Sequence, residues 1–221
     1  YSGSNLKRIS ARFIFRVCNY FVDTVTGVSS IGLTRLKLLF PNSTNGPAFP
    51  LMISKTDLVN QSIHSHQKTL RILYVGSLES DRQFGDVIIQ AILLLSRSRN
   101  DFMIDVYGDN LKFDALMKKY TCSSTARNLS ELIHCYGSYP RPELLGKMTT
   151  YDIGLCLIPP DEKFREATPT KLVEYMGSGL AVIGSYGIPF IEQTITNHSC
   201  GILVDFNSTC ICEGLNTILN Y

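Results

Sequence analysis

The sequence predicts an α/β fold with a doubly wound parallel sheet. Two observations lead there. From about residue 69 onward, short apolar strand-like runs alternate with helix-like stretches, an order that implies a parallel sheet with helices on both faces. Several of those runs stop at glycine, at Gly76, Gly108, Gly137 and Gly184. In sheets of this kind, ligands bind outside the carboxyl ends of the strands. No repeat of fixed period and no low-complexity tract interrupts the pattern.

Residues 6–21 set Lys7, Arg8, Arg12 and Arg16 against Ile9, Phe13, Val17 and Tyr20, which reads as a basic amphipathic helix. Such a helix either covers a surface with one buried stripe or lies on a membrane face. Asp23–Ser29, rich in Thr and Val, reads as a strand. Ile31–Lys37 reads as one or two helical turns, and Leu38–Phe40 as a short strand stopped by PNSTNGP. Residues 41–50 hold three prolines, a glycine and two asparagines, and read as a loop. Residues 51–69 show no clear period and read as a linker.

Strands are then expected at Arg71–Val75, Met103–Tyr107, Leu132–Tyr136, Ile153–Ile158, Ala181–Ile183 and Gly201–Val204. Helices are expected at Asp86–Ser96, Lys112–Tyr120, Glu143–Thr150, Pro169–Met176, Phe190–Thr196 and Thr209–Leu219.

A length of 221 residues suits one large domain, or one domain plus part of another. Charged residues make up 18%, and the net charge of +2 is too small to make nucleic acid or an anionic membrane the main partner. The longest apolar run, near Ile88–Leu95, is broken by Gln90 and falls short of a membrane span. The chain starts at Tyr1 without a methionine or a secretory signal, and reads as a piece of a longer protein.

Seven cysteines, at 18, 122, 135, 156, 200, 210 and 212, follow no disulfide spacing and read as buried free thiols of a reducing cytoplasm. His64 and His66 sit in the linker with no carboxylate cluster around them, and read as solvated. His134, in a strand, and His198, in a loop, read as packed or exposed imidazoles. Glu79 and Asp81 beside Arg82 read as a solvated loop. No metal site is expected, since the sequence offers no Asp-x-Asp pair.

The segment with most chemistry is residues 168–183, TPTKLVEYMGSGLAVI, with Glu166 just before it. Thr168 is a candidate N-cap and Pro169 a candidate first helical residue. Backbone N–H groups near Thr170 and Lys171 would then face outward at the positive end of a helix, which attracts phosphate. Lys171 adds a full charge. Glu174 lies about one turn deeper, placed to accept hydrogen bonds from hydroxyls such as those of a ribose. Glu166 precedes the turn. The plain alternative is a capped helix with two solvated carboxylates.

The run FREATPTKLVEYMGSGLAVIGS resembles the signature of the group 1, glycogen synthase-like glycosyltransferases. That signature is a Glu, seven residues and a second Glu, followed by a small-residue turn and a strand. Glu166 and Glu174 match the spacing. Pro169, Lys171, Leu172, Glu174, Tyr175 and Met176 match the pattern P-x-K-L-x-E-Y-M. ILYVGSL (72–78), YGDN (107–110), YGSYPRPEL (136–144) and TNHSCGILVD (196–205) resemble further segments of the family's donor-binding domain. DTVTGVS and LLFPNSTNG resemble the end of its N-terminal domain.

The resemblance implies a GT-B architecture of two Rossmann-like domains facing across a cleft. On it, residues 1–50 end the N-terminal acceptor domain, 51–69 link, and 70–221 form the donor-binding domain. A usual final helix is expected to be missing or cut short. The implied activity is retaining transfer of a hexose from a UDP- or GDP-sugar to a glycan or lipid-linked acceptor, without a metal or cofactor. Surface polysaccharide or glycoconjugate assembly at the cytoplasmic side of a membrane is the implied setting. By itself the 221-residue stretch is expected to be inactive, because the cleft needs both domains.

Implied catalytic residues are Glu166, on the transferred sugar, and Glu174, on the donor ribose. Implied donor-binding residues are Gly76, Ser77, Arg82, Gly108, Gly137, Thr168, Pro169, Thr170, Lys171 and Leu172. One departure stands out: Ser77 occupies a position where the family commonly has arginine, while Arg82 takes the following lysine's place and Gln83 a glycine's. Lys171 is then expected to supply the missing charge. Three rival readings follow. One is a nucleotide-sugar-binding module that no longer transfers sugar. A dinucleotide oxidoreductase lacks support, because GSLESDRQFG contains no Gly-x-Gly-x-x-Gly turn. A nucleotide-sugar 2-epimerase of the same fold is disfavoured by the Thr-Pro-Thr-Lys stretch.

Overall fold

The structure, a computed structural model, describes residues 13–14, 16–49, 51–54, 69–78, 84–121 and 129–220. The chain divides into two compact units, Tyr1–Met52 and Ile53–Tyr221. Among the described residues, no helix is long and apolar enough to cross a membrane.

In the first unit, strand β1 (Thr24–Gly27), helix α1 (Ser30–Leu39) and strand β2 (Thr44–Ala48) form a parallel crossover. Ser29 starts the helix: its backbone is extended and its hydroxyl accepts the Gly32 N–H at 3.0 Å. Two expectations are corrected here. Leu38 and Leu39 belong to the helix, which Phe40 closes by donating its N–H to the Leu36 carbonyl. Leucine suits a helix as well as a strand, and a crossover between parallel strands needs the extra turn. Thr44–Ala48 is a strand, not part of a loop. Thr44 donates its N–H to Asp23 at 2.7 Å, and the Thr24 and Thr44 hydroxyls lie 2.8 Å apart. Pairing with β1 overrides the turn preference of Asn45, Gly46 and Pro47.

Of the helix expected over 6–21, residues 13, 14 and 16–18 are described and helical. The described members of its apolar stripe, Phe13, Val17 and Tyr20, are exposed rather than buried.

Among the described residues, the second unit contains six parallel strands: β3 (Leu70–Val75), β4 (Phe102–Tyr107), β5 (Ile133–Cys135), β6 (Ile153–Cys156), β7 (Ala181–Ser185) and β8 (Gly201–Val204). Their order is β5-β4-β3-β6-β7-β8. The helices are α2 (Phe84–Leu95), α3 (Asn110–Thr121), α4 (Leu129–Leu132), α5 (Arg141–Met148), α6 (Thr170–Gly177), α7 (Pro189–His198) and α8 (Ser208–Ile218). The doubly wound sheet expected from the alternation is present. Chain order reverses between β3 and β6, which opens a crevice outside their carboxyl ends.

Strand residues alternate between two cores. Ile72, Tyr74, Ile104, Val106, Ile153 and Leu155 face one way, against Ile88, Ile89 and Ile92 of α2, Leu116 of α3, and Ile211 and Leu215 of α8. Leu73, Tyr107, Cys156 and Val182 face the other way, against Leu144, Leu145 and Met148 of α5, Leu172 and Tyr175 of α6, and Ile191 and Ile195 of α7. On this second face a polar knot fastens the sheet. The buried Asp105 accepts from Arg71 and from the Tyr151 hydroxyl, both at 2.7 Å, and Tyr107 and Tyr151 hydroxyls lie 3.2 Å apart. Burial, with these hydrogen bonds, raises the Tyr151 pKa far above its ordinary value.

Several boundaries shift where tertiary contacts decide them. Leu132 ends α4, which was not expected, so β5 starts at Ile133. β6 stops at Cys156, two residues before the expected end. There Ser185 takes over, its hydroxyl accepting the Ile158 N–H at 2.9 Å. His198 ends α7 rather than lying in a loop, and Ser199 follows in the left-handed conformation. The six described cysteines are free; Cys156 is buried, but the other five are partly exposed. His64, His66 and Cys122 lie outside the described residues, as does most of the linker.

Candidate functional site

The candidate residues gather at the carboxyl ends of β3, β4, β5 and β6. Gly76 directly follows β3 with φ 140°, a conformation that glycine alone adopts readily. Gly108 follows β4, and a Cβ there would lie 2.1 Å from the Gly76 carbonyl oxygen. The two turns therefore touch backbone to backbone, and Gly76 donates its N–H to Tyr107 at 2.9 Å. Gly137 follows β5 with φ 72°, packed against the side chain of Asn110. The strand-end glycines thus form one rim above the sheet.

Ser77 sits on that rim beside Gly76. Its hydroxyl is buried, and among the described residues nothing bonds to it. Arg82, Glu79, Asp81 and Gln83 lie outside the described residues.

The segment after β6 leaves the sheet at this same end. A 3₁₀ turn, Glu162–Phe164, which the sequence did not announce, leads into Glu166. Phe164 anchors it edge-on against Phe84, with ring centroids 5.6 Å apart. Glu166 is half-buried in the turn that follows. The helix begins one residue later than expected. Pro169, not Thr168, is the cap residue, with extended backbone (φ −70°, ψ 119°) and no side-chain capping bond. Its ring has no N–H to place, so it flanks the helix as easily as it starts it. Leu172 donates to the Pro169 carbonyl at 3.2 Å. The N–H groups of Thr170 and Lys171 remain in the first turn, where a helix has no internal acceptor for them. Lys171 reaches over the Tyr74 ring, its Nζ 4.7 Å from the centroid.

Two contacts hold α6 in place. Tyr175 is fully buried and its hydroxyl accepts the Val75 N–H at 2.9 Å, next to Gly76. Glu174 is buried, and its Oε1 accepts from Nε of Arg141, the first residue of α5, at 2.7 Å. Cys156, beneath the segment, is pushed up by burial to about 11, with Lys171 pulling the other way.

The structure thus brings Gly76, Ser77, Gly108, Thr168, Pro169, Thr170, Lys171, Leu172 and Glu174 to the same end of the sheet, with Gly137 on the rim at β5. Sequence reasoning missed Arg141. Its segment was matched only as a whole, and nothing in a Pro-Arg-Pro triplet signals a partner 33 positions away. Among the described residues, no cluster of His, Cys, Asp and Glu forms a metal site. A groove of ≈ 660 Å³ lined by Met176, Leu180, His198, Cys200 and Ile218 lies by the start of β7 and β8, and carries none of the candidate residues.

Solved structures share this architecture. The pneumococcal O-GlcNAc transferase GtfA, in complex with UDP and GlcNAc, aligns with 89% of this chain and 39% of its own at a TM-score of 0.61 and 17% identity. A glycosyltransferase from Rickettsia africae aligns with 100% of this chain and 58% of its own, at 0.64 and 15%. Sucrose-phosphate synthase from Thermosynechococcus elongatus aligns with 93% and 52%, at 0.59 and 14%. The chain therefore spans roughly two-fifths to three-fifths of these proteins, and identities this low show the fold alone. No curated protein matches the sequence. The family model described as "Glycosyl transferases group 1" matches residues 57–220. The sheet order, the glycine rim and that match agree, and the chain belongs to the group 1 glycosyl transferases.

Proposed function

We propose that residues 70–221 are the donor-binding half of a retaining glycosyltransferase, which moves a hexose from a UDP- or GDP-sugar to a glycan or lipid-linked acceptor. The observation that carries this reading is the position of α6. Its N-terminus, with Lys171 in the first turn and Glu174 one turn deeper, follows β6 at the point where strand order reverses. In this reading residues 1–50 end the acceptor domain and 51–69 link the two.

Each residue then has a task. Glu174 accepts from the donor ribose, and Glu166 contacts the transferred sugar. Gly76, Gly108 and Gly137 let the nucleotide approach the strand ends. As the glycosidic bond breaks, negative charge grows on the leaving diphosphate. The N–H groups of the first α6 turn and the Lys171 ammonium stabilise it where it forms, with Thr168, Pro169 and Leu172 shaping the turn. The Ser77 hydroxyl, without a partner among the described residues, adds a neutral donor where the family commonly has arginine, and Arg82 is the second cation. No metal is required by this arrangement. The acceptor attacks from the face the diphosphate leaves, and the phosphate takes its proton. Surface polysaccharide or glycoconjugate assembly on the cytoplasmic side of a membrane fits a lipid-linked acceptor.

The test is a calorimetric and thermal-shift panel with UDP, GDP, ADP and NAD. A nucleotide held only by the folded state at ~100 times its dissociation constant adds about 2.7 kcal/mol of stability. A selective response to UDP or GDP, abolished by Glu174→Ala, supports the reading. An equal or absent response to all four refutes it. The Ser77 departure motivates a second reading, a binding module without transferase activity. Nucleotide-sugar binding without release of the diphosphate in the intact enzyme would favour that one.

A further inference from the structure

The Arg141–Glu174 pair is more than a surface ion pair. Glu174 is shielded, with 11% of its side chain accessible, whereas Arg141 is 56% accessible. The contact engages one carboxylate oxygen, Oε1, through Nε–H at 2.7 Å. Among the described residues no donor reaches the other oxygen. A glutamate carboxylate turns broadly about its last torsion when unheld. Here that freedom is restricted through one oxygen only, and the second is left without a protein donor among the described residues.

The elements carrying the pair are themselves locked. Pro140 and Pro142 flank Arg141, and Pro140 sits at φ −59° and ψ 131° just before α5. Leu144, Leu145 and Met148 of α5 share one buried cluster with Leu172 and Tyr175 of α6. The separation of Arg141 from Glu174 is therefore set by core packing, as a second tier of residues should be if it is to hold a binding group within a fraction of an ångström.

We infer that Arg141 is a positioning residue for nucleotide recognition: it fixes the Glu174 carboxylate so that the remaining oxygen accepts a ribose hydroxyl. This rests on the ribose role proposed for Glu174. Arg141 acts through Glu174, so its contribution must vanish when the ribose hydroxyls are absent.

The experiment measures UDP and GDP binding, and binding of their 2′,3′-dideoxy counterparts, to the wild-type chain and to Arg141→Ala, Arg141→Lys and Glu174→Ala. The expected result is that Arg141→Ala weakens the ribonucleotide about fivefold and the dideoxynucleotide less than twofold, the non-additivity of two groups in one network. Arg141→Lys recovers part of the loss. Its thermal unfolding midpoint checks that each variant is folded. An Arg141 that simply attracts the diphosphate, or merely supports the fold, would lose both ligands equally and overturn the inference. Glu174→Ala weakening the ribonucleotide while Arg141→Ala does not would overturn it alone. Unchanged affinity in Glu174→Ala, or no binding by the wild type, would overturn the ribose reading along with it.

Discussion

The hydroxyl of Tyr175, fully buried on α6, accepts the backbone N–H of Val75, the last residue of β3, at 2.9 Å. One hydrogen bond thus joins the two sides of the reversal in strand order, one residue from Gly76 and one from Glu174. Burial, first of all, holds the phenol protonated well above its ordinary pKa. In its neutral form it is a fixed strut between the glycine rim and the helix.

Tyr175→Phe should remove that strut with little loss of packing. A partly buried N–H left without a partner costs about 1–3 kcal/mol. Urea denaturation should show a loss in this range with an unchanged m-value. Nucleotide affinity should fall as well, because α6 is no longer tied to the end of β3 beside Gly76.

Gly154→Ala should disturb the same place from below. A Cβ on Gly154 would come within 2.5 Å of the Tyr175 ring. Overpacking of this kind costs about 1–3 kcal/mol. A drop in denaturation midpoint is the expected readout. Combining it with Tyr175→Leu should give less than the sum of the two losses, since the ring is what the new methyl strikes.

Lys171→Ala should weaken UDP or GDP by about tenfold or more, because charge-assisted hydrogen bonds contribute about 1.5–3 kcal/mol. The difference from wild type should shrink as salt is raised, since Lys171 is only partly buried. Titration calorimetry at two ionic strengths checks both points.

Alkaline stability should report on Tyr120. It donates to Asp86 at 2.6 Å, and burial, reinforced by this bond, raises its pKa to about 12. The folded value lies above the unfolded one near ~10. The contribution is therefore complete below pH ~10 and is lost as pH rises through the folded value. Tyr120→Phe should flatten the fall of the denaturation midpoint between pH 10 and 12 relative to wild type.

Much of the fold was legible in the sequence. Apolar period and turn residues located each of the six strands of the large sheet, because burial of a strand between two helical layers demands a continuous apolar run, and its end demands a residue such as Gly76 that tolerates a sharp turn. The Glu166–Glu174 spacing, eight positions apart with a polar turn between, pointed to the segment that follows β6.

Tertiary structure decided what depends on contacts distant along the chain. Thr44–Ala48 became a strand because β1 lay beside it, against its own turn preference. The order β5-β4-β3-β6-β7-β8 follows from how the helices pack, which no local pattern records. Val75 meets Tyr175 across 100 positions and Arg141 meets Glu174 across 33. Periodicity speaks of neighbours within a turn or a strand, whereas such pairs arise only once the two cores have closed around the sheet.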